Sequence, residues 1–448
     1  MELRTRKMMD HAFTASGVMA IILMTVALVL LLAPMFVRGA KAMVFTATVE
    51  HRRLMMEKFE RGNRQEIEAE LAAARAARAP VYRMVAEFES QLAAMPASER
   101  QKYSASFKDV KKALKSLLGP EPGMLRPMLM RDQFGQNRWD RALVKRDLVL
   151  NREDWDHSQP GRAGVKVVRP RAPDFAGTAL APLFPCLAAN LDKMLLPRRT
   201  VYWQFLTDES FDSHFFGGIW PELLGTFYLT VGAMLFAIPM GLIAAIYLTE
   251  YAAESRFVSF LRTCISTLAG VPSIVFGLFG LAFFINTLGI SHSKSVLVGS
   301  MTLALMILPT VIRAAEEAIL AVPRTYKEAA LSLGAGRWHT VTSVILPAAL
   351  PGILTGIVIS MGRAAGETAP IIFTAAVSVG KPLALWQAFS QPTPALSWNI
   401  YNLATEHEAM DEIRHVQFGL VLVLVVLVLA LNLAAILMRA RIARKLRG

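Results

Sequence analysis

Six apolar runs of roughly membrane-spanning length, almost free of charge, constrain this chain more than any other feature. A helix of about twenty apolar residues crosses the hydrocarbon core of a bilayer, where each backbone amide must find its partner inside the same helix. The first run extends from Ala12 to Val37, the second from Leu223 to Thr249, and the third from Thr263 into the Asn286 region. The fourth, the shortest, spans Ser295 to Ile312. The fifth lies between Ala348 and Gly380, broken only by Arg363 and Glu367, and the sixth runs from Phe418 to Met438. No strand-like alternation competes with them. Only 19% of the 448 residues are charged and 54% are apolar, against about 25% charged in soluble domains. That balance excludes a disordered chain, and two cysteines, Cys186 and Cys264, cannot staple one this long.

Lys and Arg outnumber Asp and Glu by 48 to 35, for a formal net charge of +13. Basic residues beside apolar runs hold short loops in the cytoplasm, so the excess points to topology before nucleic acid. Arg4, Arg6 and Lys7 precede the first run, and Arg439, Arg441, Arg444, Lys445 and Arg447 follow the last. Both termini are therefore expected in the cytoplasm, as an even number of spans allows. The loop with Arg256 and Arg262 and the loop with Arg324, Lys327 and Arg337 fall on the same side. Ala40-Lys41-Ala42 mimics a signal-peptide cleavage site, but the run before it is longer than an h-region and reads as a retained span.

This topology makes residues 38–217 an extracytoplasmic insert. From Val44 to Leu118 it is rich in Ala, Glu, Arg, Met and Leu, and two or three helices are expected. Between Gly119 and Arg171 prolines, glycines and charges mix with a short apolar alternation at Val165 to Val168, which reads as loops and a little strand. Three parts result: 1–37, a cytoplasmic N-terminus and first span; 38–217, the insert; and 218–448, a core of five further spans with a cytoplasmic loop at 322–347. The fold class is an all-α polytopic membrane protein, six transmembrane helices plus a mainly helical extracytoplasmic insert.

The most specific motif lies in the loop between the fourth and fifth runs. Glu328-Ala329-Ala330 is followed after three residues by Gly334, and after nine intervening residues by Val344, one residue, and Leu346-Pro347. Physically, Thr325 to Leu333 reads as a short amphipathic helix, Gly334 as a turn with positive φ, and Trp338 to Leu346 as a restarted helix. A helix presented this way suits the groove of a partner. The pattern resembles the EAA loop of the membrane subunits of bacterial ABC importers, with Val344 where Ile is commoner. The resemblance implies the permease fold of that class and a coupling role toward an ATPase for Glu328, Ala329, Ala330, Gly334, Leu346 and Pro347. No G-x-x-x-x-G-K-[S/T] phosphate loop occurs, and the nearest look-alike, Gly289 to Ser295, lacks the second glycine. The chain is therefore expected to be no enzyme and to hold no cofactor, with ATP hydrolysis on a separate subunit.

Arg363 inside an apolar run costs roughly 2.5–3.5 kcal/mol on insertion scales, so a partner or a watery cavity is expected beside it. Glu367, four residues on, shares its face on a helix, and the Arg363 fork is suited to gripping a tetrahedral oxyanion. Arg313 adds a second basic group at the inner end of the fourth run; a snorkelling anchor is its structural alternative. Gly362-Arg363-Ala364-Ala365-Gly366-Glu367-Thr368-Ala369-Pro370 resembles a signature of the PstA-type permeases of phosphate ABC importers. Gly270 to Gly277 and Leu308-Pro309 with Arg313 and Glu316 resemble the same subunit, from about Gly217 to the C-terminus. The resemblance implies a substrate pathway at Arg363, Glu367 and Arg313, with Glu316 less securely matched. It also implies a homologous permease partner (PstC-type), an ATPase dimer (PstB-type) and a periplasmic phosphate-binding protein (PstS-type), in the bacterial inner membrane. The long insert departs from the shorter members of the family.

Two other classes remain open at this level: a permease for another oxyanion such as sulfate, molybdate or phosphonate, and a membrane scaffold or signalling subunit of a phosphate-sensing complex. A secondary transporter is disfavoured by the coupling motif. Pro239, Pro272 and Pro309 within runs offer hinges or simply close packing. Glu406, His407, Glu408, Asp411, Glu412 and His415 have metal-ligand chemistry, but their composition reads as a solvated acidic helix and no metal is expected.

Overall fold

A computed structural model describes residues 3–125, 127–156 and 165–447. The chain is mainly helical and divides into two compact units, Met43–Tyr202 and Met1–Ala42 with Trp203–Gly448. In chain order, α1 (Leu3–Ala40) precedes the first unit. That unit comprises β1 (Val44–Ala47), α2 (Val49–Phe59), α3 (Arg64–Ala94), α4 (Ala97–Leu118), the one-turn α5 (Met130–Gln133), α6 (Trp139–Leu150), β2 (Asn151–Asp156), β3 (Val165–Pro170), α7 (Leu183–Leu195) and β4 (Arg198–Val201).

The unit's longest helix shows why these segments fold as they do. The Asn63 side chain accepts a hydrogen bond from the Gln65 amide at 3.1 Å and caps α3. Ile67, Leu71, Ala74, Arg78, Val81, Val85 and Phe88 then recur at three- and four-residue spacing and are all buried. Pro80 lies within α3 on its exposed side and does not end it. Phe88 meets Phe107 and Phe175 edge-on at 4.9 and 5.7 Å between ring centroids, while Leu117, Leu183, Leu187 and Met194 close the core around them. Each such side chain contributes about 1.5–3 kcal/mol by leaving water.

Strand β1 pairs antiparallel with β4, from Val44↔Val201 to Ala47↔Arg198, so this unit is entered and left at one place. A second antiparallel pair joins β2 to β3. Part of the loop expected between Gly119 and Arg171, residues 157–164, lies outside the described residues. The same stretch contains a helix that was not expected, α6. Its Ala142 and Val149 are buried and Trp139, Leu143 and Leu150 pack on the core at helical spacing, while five interleaved charges obscure that period in the sequence.

The second unit continues with the β5 (Ser210–Phe211) and β6 (Phe216–Gly217) hairpin, then α8 (Trp220–Ile246), α9 (Arg256–Ala269), α10 (Ser273–Gly280), α11 (Val296–Leu320), α12 (Arg324–Ser332), α13 (Arg337–Thr340), α14 (Leu346–Gly366), α15 (Ala369–Thr374), α16 (Leu396–Thr405) and α17 (Met410–Arg447). Five helices among the described residues are long and apolar enough to cross a membrane: Met9–Ala40, Trp220–Tyr251, Val296–Leu320, Arg337–Gly366 and Met410–Ile442. A sixth is formed only if α9 and the following helix to Thr287 count as one span, because they meet at 100°. The expected third span is thus broken. Pro272 has no amide to continue the ladder of α9, and the chain turns there before restarting at Ser273.

Small residues let the spans approach closely. Gly352 and Gly356 of α14 lie against Ala318 and Ala314 of α11, and a Cβ at Gly356 would stand 2.1 Å from that of Ala314. By contrast, the most apolar stretch of α1 buries nothing within the chain. Its end alone is tied down, with Gly39 against Leu422 and Phe418 and the Arg38 guanidinium over the Phe418 ring at 5.3 Å. Near the start of α8, the buried Glu222 accepts a hydrogen bond from Asn399 at 3.0 Å and meets the buried His214 at 2.9 Å.

Candidate transport site and coupling loop

The fifth span ends earlier than its apolar run. Pro370 lacks the amide that would bond the Gly366 carbonyl, and α14 stops at Gly366. Glu367 is extended, at φ −77° and ψ 133°, and α15 begins at Ala369. Arg363 therefore stands in the last turn of its helix and not in the middle of a continuous one. It nevertheless stands about midway along the length of the bundle. Continuing the antiparallel register of Gly352 with Ala318 and Gly356 with Ala314 sets Arg363 level with about Ile307, midway along α11.

Although Glu367 has left the helix, its Oε1 accepts from Arg363 Nε at 3.4 Å. The Arg363 side chain is 39% exposed and that of Glu367 22% exposed, so the pair lies open at the flank of the chain. The C-terminal end of α14 carries partial negative charge and favours the guanidinium there. The strand of chain carrying Glu367 is pinned from α16, since Ser397 Oγ donates to the Glu367 carbonyl at 3.0 Å. Arg313 is also exposed, but it donates to Ser266 Oγ of α9 and makes no hydrogen bond or ion pair with Arg363 or Glu367 among the described residues. Glu316 meets Arg262 of α9 at 3.7 Å. The structure thus joins Arg363 to Glu367 and sets Arg313 apart on the α9 side.

The loop between α11 and α14 has the form its spacing predicts. Gly334 takes φ +86°, with the Ala335 amide bonded to the Ala330 carbonyl at 3.2 Å and the Gly334 amide to that of Leu331 at 2.9 Å. These two bonds are a Schellman closure of α12, which only glycine enters without strain. No residue of α12 is buried: Glu328 and Ala329 are exposed, and Ala330 is half-buried. Leu333 is 90% exposed and Trp338 66% exposed, beside an open cavity of about 680 Å³ between the two arms of the turn. Lys327 Nζ reaches Glu250 Oε2 at 2.5 Å and ties α12 to the helical turn Tyr247–Tyr251 that follows α8. Leu346 packs instead against the cluster that holds Ala315, Ile345 and Ile353, and Pro347 follows the wide turn Val341–Ile345 inside the continuous helix Arg337–Gly366. The acidic stretch after α16 is spread along the chain: Glu406 accepts from Asn402 at 3.2 Å, His407 meets the Ser213 carbonyl at 2.9 Å and Asp411 pairs with Arg414 at 2.7 Å.

A bundle of apolar spans, a charge pair open at its flank and an exposed loop helix have the make-up of a membrane transport component. Residues 237–448 match the family of binding-protein-dependent transport system inner membrane components. The chain is 37% identical over 253 residues to the probable ABC transporter permease protein YqgI of Bacillus subtilis, covering 54% of this chain and 85% of that protein. It is 35% identical over 251 residues to the phosphate transport system permease protein PstA 1 of Mycobacterium tuberculosis (strain ATCC 25618 / H37Rv), covering 56% and 78%. To the phosphate transport system permease protein PstA of Xylella fastidiosa it is 33% identical over 230 residues, covering 50% and 77%. The chain belongs to this family of multi-pass inner membrane components, as a PstA-type ABC permease. The family works with an ATPase and a substrate-binding protein.

Proposed function

We propose that this chain forms half of the pathway by which an ATP-driven importer carries inorganic phosphate across the bacterial cytoplasmic membrane. The identity to proteins named as phosphate permeases carries this reading. The open Arg363–Glu367 pair supports it, because a guanidinium exposed at mid-depth attracts an oxyanion while the adjacent carboxylate keeps the affinity low enough for release. In this reading Arg363, Glu367 and Arg313 line the pathway. Glu328, Ala329, Ala330 and Gly334 receive the movement of the ATPase, and Leu346 and Pro347 pass it into α14. A PstC-type permease supplies the other half, a PstB-type dimer the hydrolysis and a PstS-type protein the substrate. Both termini lie in the cytoplasm and residues 38–217 in the periplasm, between a first part at 1–37 and a permease core at 218–448 with its coupling loop at 322–347.

The test is ATP-dependent uptake of labelled phosphate in cells lacking the chain and supplied with it or with R363Q, using sulfate and molybdate as competitors. Restoration by the native chain, suppression by phosphate alone, and loss of uptake in an assembled R363Q complex are expected. Undiminished uptake with R363Q removes Arg363 from the pathway, and suppression by another oxyanion changes the cargo.

A further inference from the structure

A second cluster of arginines lies within the unit Met43–Tyr202. One stripe of α3 presents Arg75, Arg78 and Tyr82, and the small Ala79 beside them leaves a cavity of about 350 Å³ toward α2 and Phe134. Like charges three residues apart on a helix repel, so this stripe calls for negative charge. Glu50 of α2 supplies one, bonding Arg78 Nη1 at 2.8 Å. The Arg78 side chain, 9% exposed, also donates to the Met194 and Leu118 carbonyls at 2.8 and 3.2 Å, yet its Nη2 has no partner. Arg53 lies over the Phe134 ring at 4.5 Å and reaches Glu57 at 3.1 Å. Arg75 is exposed and makes no hydrogen bond or ion pair among the described residues. Three guanidinium groups therefore share these walls with the Glu50 carboxylate, which also meets Arg53 Nη1 at 3.9 Å, while Glu57 pairs with Arg53 from outside the cavity lining. Burial raises the Tyr82 phenol above its usual value, so at neutral pH it stays a hydroxyl able to donate.

We infer that this cavity is a binding site for a small oxyanion, either an inorganic ion or the phosphoryl group of a small ester. Guanidinium forks match tetrahedral oxyanions bidentately, and positive charge on low-dielectric walls concentrates them. The partnerless Arg75 and the Tyr82 hydroxyl make the direct contacts, with Arg53 at the rim and Arg78 behind. The volume exceeds that of a bare ion, which leaves room for the organic part of an ester.

Binding to the full chain in detergent tests this, by calorimetric titration of inorganic phosphate, sulfate and glycerol 3-phosphate. R363Q serves as the background, so that binding at the transport core is removed and the outcome does not depend on the transport reading. Saturable binding is expected, at least tenfold weaker after adding R75Q and several-fold weaker after adding Y82F, with unchanged melting temperature in both. Tighter binding of glycerol 3-phosphate than of phosphate assigns the site to esters, and the reverse order to the inorganic ion. Absence of saturable binding, or equal affinity with and without R75Q, overturns the proposal.

Discussion

Burial, aided by the nearby Arg138 and Arg52, pushes the His51 imidazole from 6.5 down to about 3. In the folded chain it is neutral, wedged edge-on between Phe45 and Tyr202, whereas the unfolded chain takes up its proton near pH 6.5. The stability this provides is complete above that value and is lost as pH falls from 6.5 toward 3, by about 1.4 kcal/mol per pH unit. H51Q is expected to flatten the acid slope of thermal unfolding over this window; an unchanged slope assigns the acid sensitivity elsewhere. At this scale the sequence was uneven as a guide. The pairing of Arg363 with Glu367 was legible because charges four residues apart inside an apolar run call for a partner. The buried trio of Glu222, His214 and Asn399 was not, since Asn399 lies 177 residues from Glu222 and nothing local announces their meeting.

Among the elements, the shape of the loop between α11 and α14 was readable because glycine spacing and amphipathic period are both local. Its turn yields a graded prediction. A side chain at φ +86° costs roughly 1–2 kcal/mol except where Asn eases the left-handed conformation, and the space around Gly334 is open. G334N should therefore retain uptake, G334A weaken it, and G334V lower uptake per ATP hydrolysed most; equal coupling ratios in all three dismiss the turn as a determinant. The breaks at Pro272 and after Gly366 were harder to read, because proline is ordinary in membrane helices and hydrophobicity alone does not separate a straight span from a bent one. The seam between α11 and α14 makes another demand. G356L must force the helices apart, since even its Cβ clashes with Ala314, and assembly should fail. G356A with A314G should restore much of the melting temperature lost in G356A alone. Simple additivity of the two substitutions excludes a shared contact.

On the scale of the whole molecule, apolar runs marked the long apolar helices, but α6 and the β1–β4 pairing emerged only from tertiary structure. That pairing sets Val44 beside Val201, so the unit between them is closed at its base by its own ladder. Replacing residues 44–201 by a short Gly/Ser linker should leave a chain that inserts, assembles and still supports phosphate uptake; failure to assemble makes the unit structural. Helix α14 has its own consequence for how force moves through the protein. It runs for 21 residues, about 30 Å, from Leu346 at the end of the coupling loop to the turn that carries Arg363. Pro351 lies within the helix without ending it, no loop interrupts that path, and the glycine seam presses it against α11 along the way. In the proposed importer, the engine contact and the cargo-facing charge are thus the two ends of one strut, and a tilt imparted at the loop arrives at Arg363 without a joint to absorb it.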